Sequence, residues 1–118
     1  MAKKILVADD DPGILDAIVA MLNFKGYEVI AVADGDDVLA DTHNLPDLYL
    51  LDIWMPGQSG TGICKAIKAK PQTAHIPVIL ISASLNVAKA AKEAGADNYL
   101  AKPFDMRQLL NKIEALMS

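Results

Sequence analysis

The sequence predicts a single α/β domain: a doubly wound parallel sheet with helices on both faces. Three observations predict it. Four short apolar runs stand out: Ile5-Leu6-Val7-Ala8, Leu48-Tyr49-Leu50-Leu51, Val78-Ile79-Leu80-Ile81 and Tyr99-Leu100-Ala101. They are too short for helices and too continuous for strands with one wet face, so they read as strands buried on both faces. Segments of helical spacing lie between them, and strand and helix signals alternate five times, as (βα)5. Each run also stops at residues able to do chemistry: Asp9-Asp10, Asp52, Ser82 and Lys102.

The elements follow in order. Ile5 to Ala8 is the first strand. Asp11 is placed to cap a helix whose first turn holds Pro12, and Ile14, Leu15, Ile18 and Leu22 form its apolar face, with Gly26 as its stop. Glu28 to Val32 is the second strand. Asp34-Gly35 opens a short helix carrying Val38 and Leu39, and Pro46-Asp47 leads into the third strand at 48–51. After the Pro56-Gly57-Gln58-Ser59-Gly60 loop, a helix runs from about Thr61 to Lys70 and ends before Pro71. Pro77 precedes the fourth strand at 78–81. An alanine-rich helix from about Val87 to Ala94 stops at Gly95, the fifth strand covers Asn98 to Ala101, and a last helix from about Asp105 aligns Leu109, Leu110, Ile113 and Leu116. Right-handed crossovers place the helices on both faces.

The bulk numbers bound the answer. The chain has 118 residues, the length of one domain with a real core, and no linker or repeat divides it. Apolar residues make up 53% and charged residues 22%, which is globular composition. The net charge of −4 argues against direct nucleic-acid binding, which needs a basic face. The first apolar run ends at three aspartates, too early for a signal peptide, and no stretch has the length of a membrane span. Cys64 is the only cysteine, so no internal disulfide forms, and its helical setting reads as a small buried hydrophobe rather than a reactive thiol. A cytoplasmic protein is expected. The last helix is expected to end almost with the sequence, so no output domain is expected within these 118 residues.

Residues just past the strand ends of a parallel sheet collect at one edge, where α/β proteins bind ligands. Asp9, Asp10, Asp52, Ser82 and Lys102 then share a crevice. Three carboxylates repel unless they are neutralised, and a divalent cation such as magnesium together with Lys102 balances them. That combination suits carboxylate-plus-metal phosphoryl chemistry.

Four segments carry a specific resemblance: Ile-Leu-Val-Ala-Asp-Asp-Asp-Pro at 5–12, Leu-Leu-Asp-Ile-Trp-Met-Pro-Gly at 50–57, Ile-Ser-Ala at 81–83 and Ala-Gly-Ala-Asp-Asn-Tyr-Leu-Ala-Lys-Pro-Phe at 94–104. In this order, each at a strand end, they resemble the response-regulator receiver domain of two-component signalling, over essentially residues 1–118. The resemblance implies a flavodoxin-like fold with strand order 2-1-3-4-5. It implies a phosphoacceptor switch rather than a metabolic enzyme, one that catalyses its own phosphorylation and slow dephosphorylation. Its partners would be a sensor histidine kinase or histidine phosphotransfer protein and a downstream output protein or domain, with no nucleic acid or membrane bound by the domain itself.

The resemblance also assigns roles. Asp52 is the phosphoacceptor. Asp10 binds magnesium directly and Asp9 through water, with Asp52 and the backbone carbonyl of Trp54 completing the protein ligands. Asp11 then caps the first helix rather than joining the metal. Ser82 and the backbone N–H of Ala83 bind the phosphoryl oxygens, unless Ser82 is only a polar strand terminus. Lys102 pairs with Asp52 before phosphorylation and with the phosphoryl group after it, aimed by a cis peptide at Pro103. Tyr99 is the aromatic that turns inward when Ser82 moves, or else an aromatic on an exposed edge strand.

Two features depart from the pattern. Trp54 is bulky at a variable position, where it either shades the acyl phosphate or covers apolar surface. The Ser82–Lys102 segment is slightly short, so the helix within it is expected to be short or displaced. His43 and His75 read as surface or capping residues. Two rival functions are weighed. A haloacid-dehalogenase-type phosphohydrolase needs a second carboxylate two residues after its nucleophile, where Trp54 stands. A binding-only receiver with a dead site conflicts with the intact Asp10, Asp52, Ser82 and Lys102.

Overall fold

Strands β1 (Lys4–Ala8), β2 (Glu28–Val32), β3 (Leu48–Asp52), β4 (Val78–Ser82) and β5 (Asn98–Ala101) form one sheet in the order β2-β1-β3-β4-β5. Every neighbouring pair is parallel. Helices α1 (Pro12–Phe24), α2 (Gly60–Ala69), α3 (Val87–Ala94) and α4 (Met106–Met117) complete the fold. The computed structural model describes residues 2–40 and 44–117.

The strands alternate between two cores. Ile5, Val7, Leu48, Leu50, Ile79, Ile81 and Leu100 pack against Ile18 and Leu22 of α1 and Leu109 and Ile113 of α4. Leu6, Ala8, Tyr49, Leu51, Val78 and Leu80 face the other way, onto Ile63, Cys64 and Ile67 of α2 and Val87, Ala91 and Ala94 of α3. All residues of β3 and β4 are buried, which is why they read as unbroken apolar runs. Each large aliphatic side chain buried here contributes roughly 1.5–3 kcal/mol.

The helix starts follow their local chemistry. Asp11 Oδ1 accepts the backbone N–H groups of Gly13 and Ile14 at 2.9 and 3.2 Å, so Asp11 caps α1 as expected. Asp105 and Gln108 exchange backbone-to-side-chain hydrogen bonds at 2.8 and 3.1 Å, a capping box for α4. At the sheet edge opposite the acidic residues, Lys68 Nζ donates to Ala74 O, Ile76 O and Asp97 Oδ2 and holds the approach to β4.

One expected element is corrected. The short helix expected from Asp34-Gly35 onward reduces, among the described residues, to a single 3-10 turn, Gly35–Asp37. Gly-Asp-Asp propagates a helix poorly, and Asp34 Oδ1 accepts the Asp36 N–H at 2.7 Å in a turn of its own. Val38 is nonetheless buried, as its apolar character required. The helix between Ser82 and Lys102 is indeed short, at 8 residues. His75 lies on the surface, whereas His43 falls outside the described residues. No described helix is long and apolar enough to cross a membrane.

Cys64 is fully buried and its Sγ donates to Ala94 O at 3.5 Å. Burial pushes its thiol up to about 11, so the reactive thiolate is scarce at neutral pH. We expect no alkylation by iodoacetamide at pH 7.5 in the folded protein and stoichiometric alkylation in denaturant, read by intact mass. Rapid labelling of the folded chain would contradict the packing of α2 against α3.

Candidate functional site

The chain turns to opposite sides of β1 on leaving β1 and β2, since β2 and β3 flank it. That switch point opens a crevice at the C-terminal strand ends. Asp9 follows β1, Asp52 ends β3, Ser82 ends β4 and Lys102 follows β5. Backbone hydrogen bonds fix these ends: Asp9 N to Val32 O, Ile53 N to Ile81 O and Lys102 N to Ser82 O, at 3.2, 2.9 and 2.8 Å.

Asp9 and Asp52 are 1% and 5% exposed, while Asp10 stands at the exposed rim. One carboxylate oxygen from each lies within 4.8 Å of the others. Asp9 Oδ1 accepts the Asp11 N–H at 2.9 Å. Lys102 Nζ donates to Asp52 Oδ2 at 3.2 Å and forms an ion pair with Asp9 Oδ2 at 3.0 Å. Asp9 Oδ2 is buried, and the ammonium is its ionic partner there. The sequence reading paired Lys102 with Asp52 alone; the structure adds Asp9. Nothing in the spacing signalled this, because it depends on where two strand ends meet. The Lys102–Pro103 peptide is cis, as expected.

The electrostatics follow from burial and crowding. Burial, then the charge of Asp9, raises the Asp52 carboxyl above its ordinary range, while Lys102 and the backbone N–H of Trp54 pull it back. Burial alone would lower the Lys102 ammonium, but contact with Asp9 and the charges of Asp52 and Asp9 outweigh it and raise it. A hard divalent cation fits this donor set: oxygens of three clustered carboxylates, two of those aspartates buried.

The remaining candidates surround this centre. Ser82 is fully buried, and its Oγ accepts the Ser84 N–H at 3.0 Å. Ala83 lies at the exposed rim, where it lines an apolar recess of about 380 Å³ with Gly13, Ile14, Ala17, Pro103 and Phe104. Tyr99 points outward and is 40% exposed. The indole of Trp54 is 67% exposed and lines a separate recess with Thr61 and Lys65 of α2 and Ala90 and Glu93 of α3. Of the two readings of Trp54, this placement favours cover of the α2–α3 groove.

A support for the site went unread in the sequence. Gly35 N donates to Pro56 O at 2.9 Å, and a Cβ at Gly35 would overlap the Gln58 carbonyl. Gly57 has φ +79°, and a Cβ there would lie 2.6 Å from Asp34 Oδ1 and 2.7 Å from Asp36 Oδ2. The turn after β2 thus interlocks with the loop that follows Asp52. Glycines in both segments were the available signal.

Comparison with known proteins agrees with this geometry. The model of the response regulator receiver domain family matches residues 5–114. The DNA-binding response regulator MtrA of Mycolicibacterium smegmatis is 31% identical over 118 residues, 98% of this chain and 50% of that protein. The chain therefore spans about half the length of this curated relative. Among solved structures, the chemotaxis response regulator CheY4 of Vibrio cholerae superposes with a TM-score of 0.89 at 28% identity, covering 98% of this chain and 99% of that one. The receiver domain of sensor histidine kinase PA1611 from Pseudomonas aeruginosa PAO1, solved with magnesium coordinated in its active-site cleft, gives 0.88 at 29% identity, covering 99% and 98%. The family match over nearly the whole chain, on a sheet that gathers Asp9, Asp10, Asp52, Ser82 and Lys102 at one edge, places this chain among the receiver domains of two-component response regulators.

Proposed function

We propose that residues 1–118 form one receiver domain that takes a phosphoryl group onto Asp52 and changes its surface in response. The observation that carries this reading is the ammonium of Lys102 held between Asp9 and Asp52, beside a third carboxylate. A carboxylate is a competent phosphoryl nucleophile. An Asp52 oxygen attacks phosphorus as the bond to the donor's imidazole nitrogen breaks, and the imidazole leaves and takes up a proton. Lys102 then follows the charge from the carboxylate to the phosphoryl oxygens. Ser82 gives up its contact with Ser84 to bind one of those oxygens, and the Ala83 N–H binds another. Asp10, Asp9, Asp52 and the Trp54 carbonyl would hold magnesium, which when bound neutralises charge on the phosphoryl group.

The donor would be a phosphohistidine of a sensor kinase or histidine phosphotransfer protein in the cytoplasm. The recess between the start of α1 and the segment after β5 supports this, because it is apolar and opens beside Lys102. Tyr99 and Ser82 lie on the same face of the sheet, since Ser82 pairs with Ala101 and Leu80 with Tyr99. A shift of Ser82 toward the phosphoryl group frees space into which Tyr99 turns, which alters the surface seen by a downstream output protein or domain. Slow dephosphorylation at the same site resets it, and no metabolite is released.

Acetyl phosphate with magnesium should add one phosphoryl group per chain, read by intact mass, and a chelator should prevent it. No adduct under these conditions would overturn the reading. Trp54 supplies a second readout. Its backbone N–H faces the Asp52 carboxylate, so metal binding should change the emission of the attached indole, titrating to saturation and disappearing in Asp10→Asn. Emission indifferent to magnesium, while calorimetry shows binding, would remove Trp54 from the metal's surroundings.

A further inference from the structure

We infer that Lys112 is a positioning residue that holds Tyr99 outward and so sets the resting balance of the switch. This rests on the receiver reading and adds a residue to it. β5 is the edge strand of the sheet, and among the described residues no strand neighbours its outer side. Lys112 reaches it from α4. Its Nζ donates to Asn98 Oδ1 at 3.1 Å and lies 5.7 Å from the centroid of the Tyr99 ring. Asn98 Oδ1 also accepts the Tyr99 N–H at 2.8 Å. One lysine thus ties the backbone of Tyr99, through Asn98, and the face of its ring to α4.

The consequence follows from linkage. The cation–ring contact exists only while Tyr99 is outward, so it stabilises the outward state alone. A phosphoryl mimic at Asp52 favours the inward state and must work against that contact. Removing the contact raises the inward population of the free protein, and the apparent affinity for the mimic rises by the same factor. An exposed cation–ring pair corresponds to roughly a threefold effect. The sign is diagnostic. Loss of a positive charge by itself weakens anion binding, so a simple charge effect runs the other way.

The test is a beryllofluoride titration at saturating magnesium, followed by amide NMR, with this chain and its variants. Lys112→Gln should bind beryllofluoride about threefold more tightly. Lys112→Arg, which keeps the charge and the stacking, should match the unsubstituted protein. In a Tyr99→Ala background, Lys112→Gln should change nothing. Unaltered or weaker binding in Lys112→Gln, or the same gain with and without Tyr99, would overturn the positioning role. Failure of the unsubstituted protein to bind beryllofluoride would overturn the receiver reading of Asp52, and the role of Lys112 with it.

Discussion

Asp52→Asn is expected to abolish phosphoryl labelling and, without metal, to make the fold more stable. The amide keeps the shape of the side chain but offers no anionic oxygen to attack phosphorus. The gain in stability has a separate cause. Asp52 is buried beside Asp9, and both influences penalise its charged form. Its carboxyl is raised in the folded state, so the folded protein binds that proton more tightly than the unfolded chain. Stability from this group therefore falls as pH rises from the ordinary carboxylate value of 3.8 through the raised one, and above that window the penalty is constant. The asparagine variant escapes it. At pH 7 we expect a gain of about 1 kcal/mol, roughly 4 °C in Tm, in the presence of a chelator. Magnesium should stabilise the native protein and leave the variant nearly unmoved. Undiminished labelling would remove Asp52 as the acceptor, and a lower chelated Tm would show that Lys102 more than compensates for its burial.

The second large effect concerns Lys102→Ala. In the metal-free fold the ammonium sits against Asp9 and Asp52, where it occupies part of the charge balance that magnesium would supply. Without it, the three carboxylates repel more strongly and the chelated protein should melt several degrees lower. The same loss removes a positive charge next to an incoming cation. Magnesium should therefore bind more tightly, by about tenfold or 1.4 kcal/mol, measured by calorimetry. Beryllofluoride should then fail to produce the amide shifts of the activated surface, because nothing couples the anion to β5. Weaker magnesium binding would place Lys102 outside this balance. Normal activation shifts would remove its role in coupling.

The parts legible in the sequence were those fixed by local burial. β3 and β4 are covered on both faces, so their runs had no polar interruption to blur them. Asp11, Gly95 and the residues around Asp105 follow helix-end chemistry that acts within a few residues. The acidic cluster was legible because parallel strands must deliver their ends to one edge. The second crossover was not, since Val38 and Leu39 have the apolar character of a helix while Gly35 and its aspartates favour a turn. The contact of Lys102 with Asp9 depends on how far apart the ends of β1 and β5 stand across the twisted sheet, a distance no local pattern encodes.

The fit between the turn after β2 and the loop after β3 sets where this protein tolerates engineering. Gly35 sits where the Gln58 carbonyl leaves no space for a side chain, and Gly57 sits between two aspartate side chains. Two segments locked in this way have no slack. A reporter or affinity tag spliced between 34 and 37 or between 56 and 58 would push directly on the loop that leaves Asp52, however exposed Asp36, Asp37 and residues 56–58 are. Surface accessibility, the usual guide to a permissive insertion point, misleads here, because these turns are held from both sides.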